Sequence, residues 1–258
     1  MTMTRFATPP EPPVLLKRDP DQALHDRVQA LNARFAKSAA QVVLGAVLRD
    51  GCAGRVAMVS SFGAEAVALL HMIALIDRKT PILFIDTELL FTETLVYQQE
   101  LVERLRLENL RILRASPADI AARDPYGGLR LGDPDSCCAL RKTAPLQAAL
   151  KGFDGWITGR KRFQTQARRG LGFFEVDPEG DRIKINPMAF WRPEDVQTYI
   201  EENRLPRHPL VARGYRSIGC APCTRPTDAA EDARAGRWAG QAKEECGLHL
   251  TPSKQSLR

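Results

Sequence analysis

Six cysteines mark this 258-residue chain, and five of them stand where they could do chemistry. Cys137 and Cys138 are adjacent, with Arg141 and Lys142 just beyond. Cys220-Ala221-Pro222-Cys223 forms a Cys-x-x-Cys pair, and Cys246 follows near the end in Glu244-Glu245-Cys246-Gly247-Leu248-His249. Thiolates ligate zinc and iron–sulfur clusters, and Cys-x-x-Cys lets one loop supply two ligands. A lone Cys-x-x-Cys also serves as a redox pair or half of a zinc ribbon, but ribbons pair two such motifs. Here the partner is an adjacent pair. Consecutive residues of a helix point about 100° apart. That divergence suits a cubane, with irons at separate corners, better than one small ion. Cys246 reads instead as a nucleophile. The thiolate is the reactive form, and a nearby cation favours it. Glu244 and Glu245 would oppose it, so the cation must come from elsewhere, with Lys142, Arg234 and Arg237 as candidates. The plainer alternative is an incidental surface cysteine. Cys52, in Asp50-Gly51-Cys52-Ala53-Gly54, reads as a small residue in a turn.

Two stretches could hold an anion. Ser60-Ser61-Phe62-Gly63-Ala64-Glu65 joins a strand to a helix, where backbone amides and hydroxyls converge. Taken alone it is equally an ordinary turn with a serine cap. It matches neither a Walker A loop nor G-x-G-x-x-G. Arg160, Lys161, Arg162, Arg168 and Arg169 could grip phosphate or sulfate through charge-assisted hydrogen bonds. Nucleic acid is the competing ligand, and a solvated basic loop is the bland reading. Only Phe163 lies within the cluster, which weakens the nucleic-acid case.

These residues need elements to position them. Apolar spacing predicts one or two helices between Asp21 and Leu48. Strands are expected over Arg55–Ser60, Pro81–Asp86, Leu110–Leu113 and Gly155–Thr158. Helices are expected over Glu65–Asp77, Thr92–Leu107 and Ser136–Leu150, the last carrying the cysteine pair near its start. Phe173–Val176 and Arg182–Ile185 read as a hairpin, and Pro193–Asn203 as a short helix with proline at its first position. Alternating strands and helices mean an α/β fold with a parallel sheet. Ligands of such sheets bind beyond the carboxyl ends of the strands. The Ser60–Glu65 and Asp86-Thr87-Glu88 loops should therefore share one mouth. Residues 1–20 are proline-rich and expected to be disordered, 21–225 form the α/β domain, and 226–258 a polar, mobile tail.

The composition is that of a soluble protein with net charge +6. No apolar run reaches the roughly 18 residues of a membrane span, and the start has no signal-peptide pattern. Cytoplasmic residence is the expectation, and there cysteines serve metal or redox chemistry in preference to disulfides.

Together the motifs resemble the assimilatory adenylyl-sulfate reductases, the iron–sulfur branch of the phosphoadenylyl-sulfate reductase family. The carrying residues are Ser-Ser-Phe-Gly-Ala-Glu at 60–65, Ile-Asp-Thr-Glu at 85–88, Cys-Cys-x-x-x-Lys at 137–142 and Thr158-Gly159 with its arginine loop. They continue with Cys-x-x-Cys at 220–223, Arg-Ala-Gly-Arg-Trp at 234–238 and Glu-Cys-Gly-Leu-His at 245–249. The resemblance implies an adenine-nucleotide α-hydrolase-like fold that binds adenosine 5′-phosphosulfate. Cys246 would attack the sulfate sulfur and expel AMP, leaving an S-sulfonate from which thioredoxin, or glutaredoxin, releases sulfite. Cys137, Cys138, Cys220 and Cys223 would hold a [4Fe–4S] cluster, and Lys142 would link cluster and substrate electrostatically. Ser60, Ser61, Gly63, Asp86 and Thr87 would bind the nucleotide, and Arg160, Arg162, Arg234 and Arg237 the phosphosulfate. His249 would support the tail or the thiolate. A homo-oligomer is implied, with no nucleic-acid or membrane partner.

The chain departs from the family at Glu88, where glycine is usual, so its carboxylate should point away from the anion or toward the ribose. Two rivals remain. A PP-loop enzyme that adenylates its substrate would carry Ser-Gly-Gly-x-Asp-Ser in the first loop, which Phe62 and Ala64 break. A metal-stabilised nucleic-acid-binding module leaves the Cys246 motif unexplained. Within the family, four cluster cysteines go with the substrate that lacks a 3′-phosphate. A 3′-phosphoadenylyl-sulfate reductase is the alternative.

Overall fold

A computed structural model describes residues 20–177, 181–228, 230–240, 243, 245 and 247–249. In chain order, helices α1 (Pro20–Phe35) and α2 (Ala40–Leu48) precede strand β1 (Val56–Ser60). Then come α3 (Ala66–Ile76), β2 (Ile82–Ile85), α4 (Thr92–Leu105), β3 (Leu110–Leu113), α5 (Pro117–Arg123), α6 (Leu129–Gly132) and α7 (Pro134–Cys138). After α8 (Ala144–Leu150) and β4 (Gly155–Ile157) come β5 (Phe174–Val176), β6 (Ile183–Ile185) and α9 (Pro193–Glu202). The sheet runs β3-β2-β1-β4-β6-β5, all neighbours parallel except the edge strand β5.

Strand side chains alternate between faces, and this sheet buries both. Met58, Ile82, Phe84 and Ile157 join the larger core with apolar residues of α1, α2, α3, α4 and α9. Their neighbours Ala57, Leu83, Ile85 and Trp156 pack on the other face against Leu146 and Leu150 of α8. That two-sided burial explains the unbroken apolar runs of β1 and β2. Asn32 of α1 covers the β5 edge, donating to the Phe174 carbonyl at 2.8 Å and accepting from its amide at 3.0 Å. A capped edge offers no template for a foreign strand.

The chain steps from β1 outward to β2 and β3, then returns to β4 on the opposite side of β1. Strand order thus reverses between β1 and β4, and a crevice opens beyond their carboxyl ends. Phe62 anchors the loop after β1. It is fully buried with φ 49°, and its ring meets Phe84 edge-on at 5.1 Å. Phe62→Ala should lower unfolding stability by about 3–5 kcal/mol in urea titrations.

The predicted Ser136–Leu150 helix is interrupted. It starts earlier, at Pro134, where Asp133 accepts from the Ser136 amide at 3.0 Å, and it widens into a π turn over Ala139–Thr143 before α8. Pro145 supplies the physical reason. It has no N–H for the Arg141 carbonyl, and its ring would strike that carbonyl in a regular helix. The remaining strand and hairpin expectations hold to within a few residues at their ends. Helix α5, capped by Ser116, lies in a stretch where the sequence reading placed no element.

Candidate active site

The crevice is a cleft of about 670 Å³, within the range of small-molecule sites. Ser60, Ser61 and Gly63 line it from β1, and Gly159, Arg160 and Lys161 from β4. Ser60 Oγ accepts from the Phe62 amide at 3.1 Å and fixes the loop. Glu65, at the start of α3, caps no backbone amide with its side chain and instead accepts from Lys161 Nζ at 2.7 Å. Gly63, Ala64, Glu65 and Ala66 line the cleft at this helix start, with no side-chain cap and with the Ala66 amide donating to the Gly63 carbonyl at 3.1 Å.

Arg160 is buried among Thr158, Glu175 and Asn186, and it accordingly titrates below an ordinary arginine because of that burial. Asn186 is fully buried and accepts from Thr158 Oγ1 at 2.9 Å, so β4, β5 and β6 jointly fix the arginine. Arg168, Arg234 and Arg237 also line the cleft, and burial lowers Arg234 to about 10. Arg162 does not line it. Its guanidinium donates to the Leu171 carbonyl at 2.7 Å and stacks 4.0 Å from the Phe190 ring centroid. A run of three basic residues cannot all face one way, and the short 3₁₀ turn beginning at Arg162 sends it outward.

The second site is a small pocket lined by Cys137, Cys138, Cys220 and Cys223, with Thr87, Arg141 and Lys142. Cys137 and Cys138 end α7 where the π turn begins, and Cys220 caps a 3₁₀ turn that Cys223 ends. The Ala221 amide ties that turn to the Leu89 carbonyl at 2.8 Å, and the Trp238 amide donates to the Cys223 carbonyl at 3.1 Å. None of the four is in a disulfide. Burial raises Cys137 and Cys223, while Arg141 and Lys142 pull Cys137 back, and Lys142, Arg237 and Lys243 pull Cys223 back. Among the described residues, no three His, Cys, Asp or Glu side chains converge as ligands of a single metal ion.

Of the Asp86-Thr87 loop, Thr87 lines this pocket, and Asp86 lines neither pocket nor cleft. Asp86 is buried and takes Arg114 through two donors at 2.9 and 2.7 Å. Thr87 Oγ1 lies 3.2 Å from Cys220 Sγ. Glu88 holds the left-handed backbone that glycine favours, φ 60°, and extends its carboxylate to within 3.8 Å of Arg141. It thus points away from the cleft, as its charge demands.

Cys246 lies outside the described residues, and so does the side chain of His249; their roles stand on sequence. Their chain neighbours are placed. Lys243 pairs with Asp135 and reaches the Pro134 carbonyl at 3.3 Å. Glu245 is buried and accepts from Arg168 Nε and Nη2, both at 2.6 Å, and from Thr165 Oγ1 at 3.0 Å. Lys184 donates to the Leu248 carbonyl at 3.2 Å and lies 4.4 Å from the Trp156 ring centroid; burial lowers it to about 7. Sequence reading placed Arg168 in a basic cluster but foresaw neither its pairing with Glu245 nor Lys184, whose strand looked like any other.

The chain has the α/β fold of the adenine-nucleotide α-hydrolase-like class, with its cleft at the point of strand reversal. Yeast FAD synthetase shares the fold at TM-score 0.51 and 14% identity, covering 83% of this chain and 70% of that one. The family is narrower: residues 55–226 match the phosphoadenosine phosphosulfate reductase domain, and the chain belongs to that family. It is 43% identical over 239 residues to an adenosine 5′-phosphosulfate reductase of Mesorhizobium japonicum, covering 93% of each chain. It is 45% identical to one from Chelativorans, covering 88% of this chain and 92% of the relative. A phosphoadenylyl-sulfate reductase from Candida auris superposes at TM-score 0.63 and 26% identity, over 75% of this chain and 94% of its own. No helix among the described residues is long and apolar enough to cross a membrane.

Proposed function

We propose that this chain reduces adenosine 5′-phosphosulfate to sulfite and AMP. The observation that carries this reading is an arginine-lined nucleotide cleft beside a four-thiol pocket, with Arg237 electrostatically close to both. The Cys246 thiolate attacks the sulfate sulfur. The bond from sulfur to the bridging oxygen breaks, and AMP leaves with that oxygen, its charge met by Arg160, Arg168, Arg234 and Arg237. The cysteine then carries an S-sulfonate. A thioredoxin thiolate attacks the Cys246 sulfur and expels sulfite, and the second thioredoxin thiol resolves the mixed disulfide. The dithiol supplies both electrons.

Cys137, Cys138, Cys220 and Cys223 would hold a [4Fe–4S] cluster. Four cysteines lining one pocket supply the donor set of such a cluster, and Arg141 and Lys142 offset the charge of ligating thiolates. A cluster held there would supply fixed charge near the cleft, and the Cys246 thiol and the reductant dithiol already complete the electron count without it.

Gly219 adds a check on the arginines. A methyl group there would overlap the Arg237 guanidinium. Gly219→Ala should therefore weaken AMP binding by roughly tenfold in calorimetry, the loss expected for displaced charge-assisted hydrogen bonds. The function itself is tested by sulfite release with thioredoxin as reductant. kcat/KM should be at least about tenfold higher with adenylyl sulfate than with its 3′-phosphorylated form. The reverse order would select the 3′-phosphoadenylyl-sulfate reading.

A further inference from the structure

Trp238 gathers three cations. Its side chain is buried, and Arg237, Lys243 and Arg234 lie 4.5, 5.3 and 5.9 Å from its ring centroid. A cation within about 6 Å of an indole is attracted by the ring quadrupole, and more strongly out of water. Like charges this close repel one another, and the negative face of the ring offsets that repulsion. The indole N–H is buried and has no hydrogen-bond partner among the described residues. Buried polar groups are ordinarily paired, so the ring serves here through its face and not through its N–H.

The backbone fixes that ring beside both sites. Thr224 and Arg237 form an antiparallel bridge, and the Arg225 amide donates to the Gly236 carbonyl at 2.9 Å. A Cβ on Gly236 would strike the Arg225 carbonyl, so this close approach needs glycine. Trp238 itself takes a left-handed backbone, φ 49°, and its amide donates to the Cys223 carbonyl at 3.1 Å. A residue with a side chain keeps that conformation only where its surroundings enforce it. The turn that carries the arginines is thus joined to the loop that carries two of the thiols. Arg234 and Arg237 line the nucleotide cleft, whereas Lys243 pairs with Asp135 of α7. The Arg237 guanidinium also abuts Gly219, so backbone and indole together confine it.

We infer that Trp238 is a positioning residue, whose ring face holds Arg237 and Arg234 toward the phosphate of the bound nucleotide. The inference rests on the reading of the cleft as the phosphosulfate site. Trp238 does not itself line the cleft, so its effect passes through the arginines. Adenosine offers those arginines no charge and should not register the loss of the ring.

The test compares wild-type protein with Trp238→Leu, which removes the aromatic face, and Trp238→Phe, which keeps one and lacks the N–H. Affinities for AMP and for adenosine are read by calorimetry. Trp238→Leu should bind AMP about tenfold or more weakly, the scale of a desolvated cation–π contact, and should bind adenosine as wild type does. Trp238→Phe should keep AMP affinity within about threefold of wild type, because a benzene face retains most of the attraction. Unchanged AMP affinity in Trp238→Leu would overturn the inference. So would an equal loss for AMP and adenosine, or a Trp238→Phe variant as weak toward AMP as Trp238→Leu. The predicted AMP loss, with no S-sulfonate formed on wild type by adenylyl sulfate, would keep the role of Trp238 and overturn the reductase reading.

Discussion

Cys246→Ser should lower sulfite release by on the order of 10⁴-fold or more, the scale on which loss of a covalent nucleophile registers. A serine hydroxyl is scarcely ionised at neutral pH, whereas a cysteine thiol is easily drawn to its thiolate. The variant should keep its affinity for AMP, because AMP lacks the sulfate that the thiolate attacks and the cleft-lining Ser60, Arg160, Arg234 and Arg237 are unchanged. A variant that still turned over at a tenth of the wild-type rate would assign the nucleophile elsewhere. Cys52 and the four pocket cysteines would then be the remaining thiols of the chain.

The second large effect concerns the thiol pocket. Cys220→Ser should strip iron and acid-labile sulfide from anaerobically purified protein and cut activity at least about 100-fold, since altering even a supporting residue of a metal site commonly costs 10–100-fold. Its consequence should also be structural. Cys220 and its neighbours tie the Leu89 loop, the Trp238 segment and α7 together. A structural metal group contributes its binding energy to folding, so the melting temperature should fall as well. Full iron content with unchanged melting would contradict the assignment of Cys220 as a ligand.

Much of this arrangement was legible in the sequence. The β1 and β2 strands announced themselves as apolar runs, because each is buried on both faces, whereas the edge strand β3 is largely exposed and interrupted by Arg111. Parallel topology predicts the loops after β1 and β2 at one mouth; the β1 loop lines the cleft together with the loop after β4, whereas Thr87 of the β2 loop lines the thiol pocket. The two cysteine pairs share a pocket, although nothing local in either stretch dictates it; only their residue type and spacing hinted at a common ligand. What could not be read was the fine aim of side chains. Arg160 and Arg162 look equivalent in sequence, yet a 3₁₀ turn faces one into the cleft and stacks the other on Phe190. Asp86 and Thr87 follow a strand that ends at the mouth, but Asp86 is taken by Arg114 and Thr87 lies against Cys220 in the thiol pocket. Glu245 looked like an obstacle to a thiolate. Its charge is absorbed by Arg168, which lies far away in sequence, and such long-range pairs leave no local periodicity.

The most direct measurement of the central claim is the intact mass of anaerobic protein mixed with adenylyl sulfate in the absence of thioredoxin. Wild-type protein should gain the mass of one sulfonate, removable by added thioredoxin, and Cys246→Ser should gain nothing. An unmodified wild-type mass with the thiol pocket fully loaded would contradict the covalent mechanism and return the chain to the adenylating or nucleic-acid-binding alternatives.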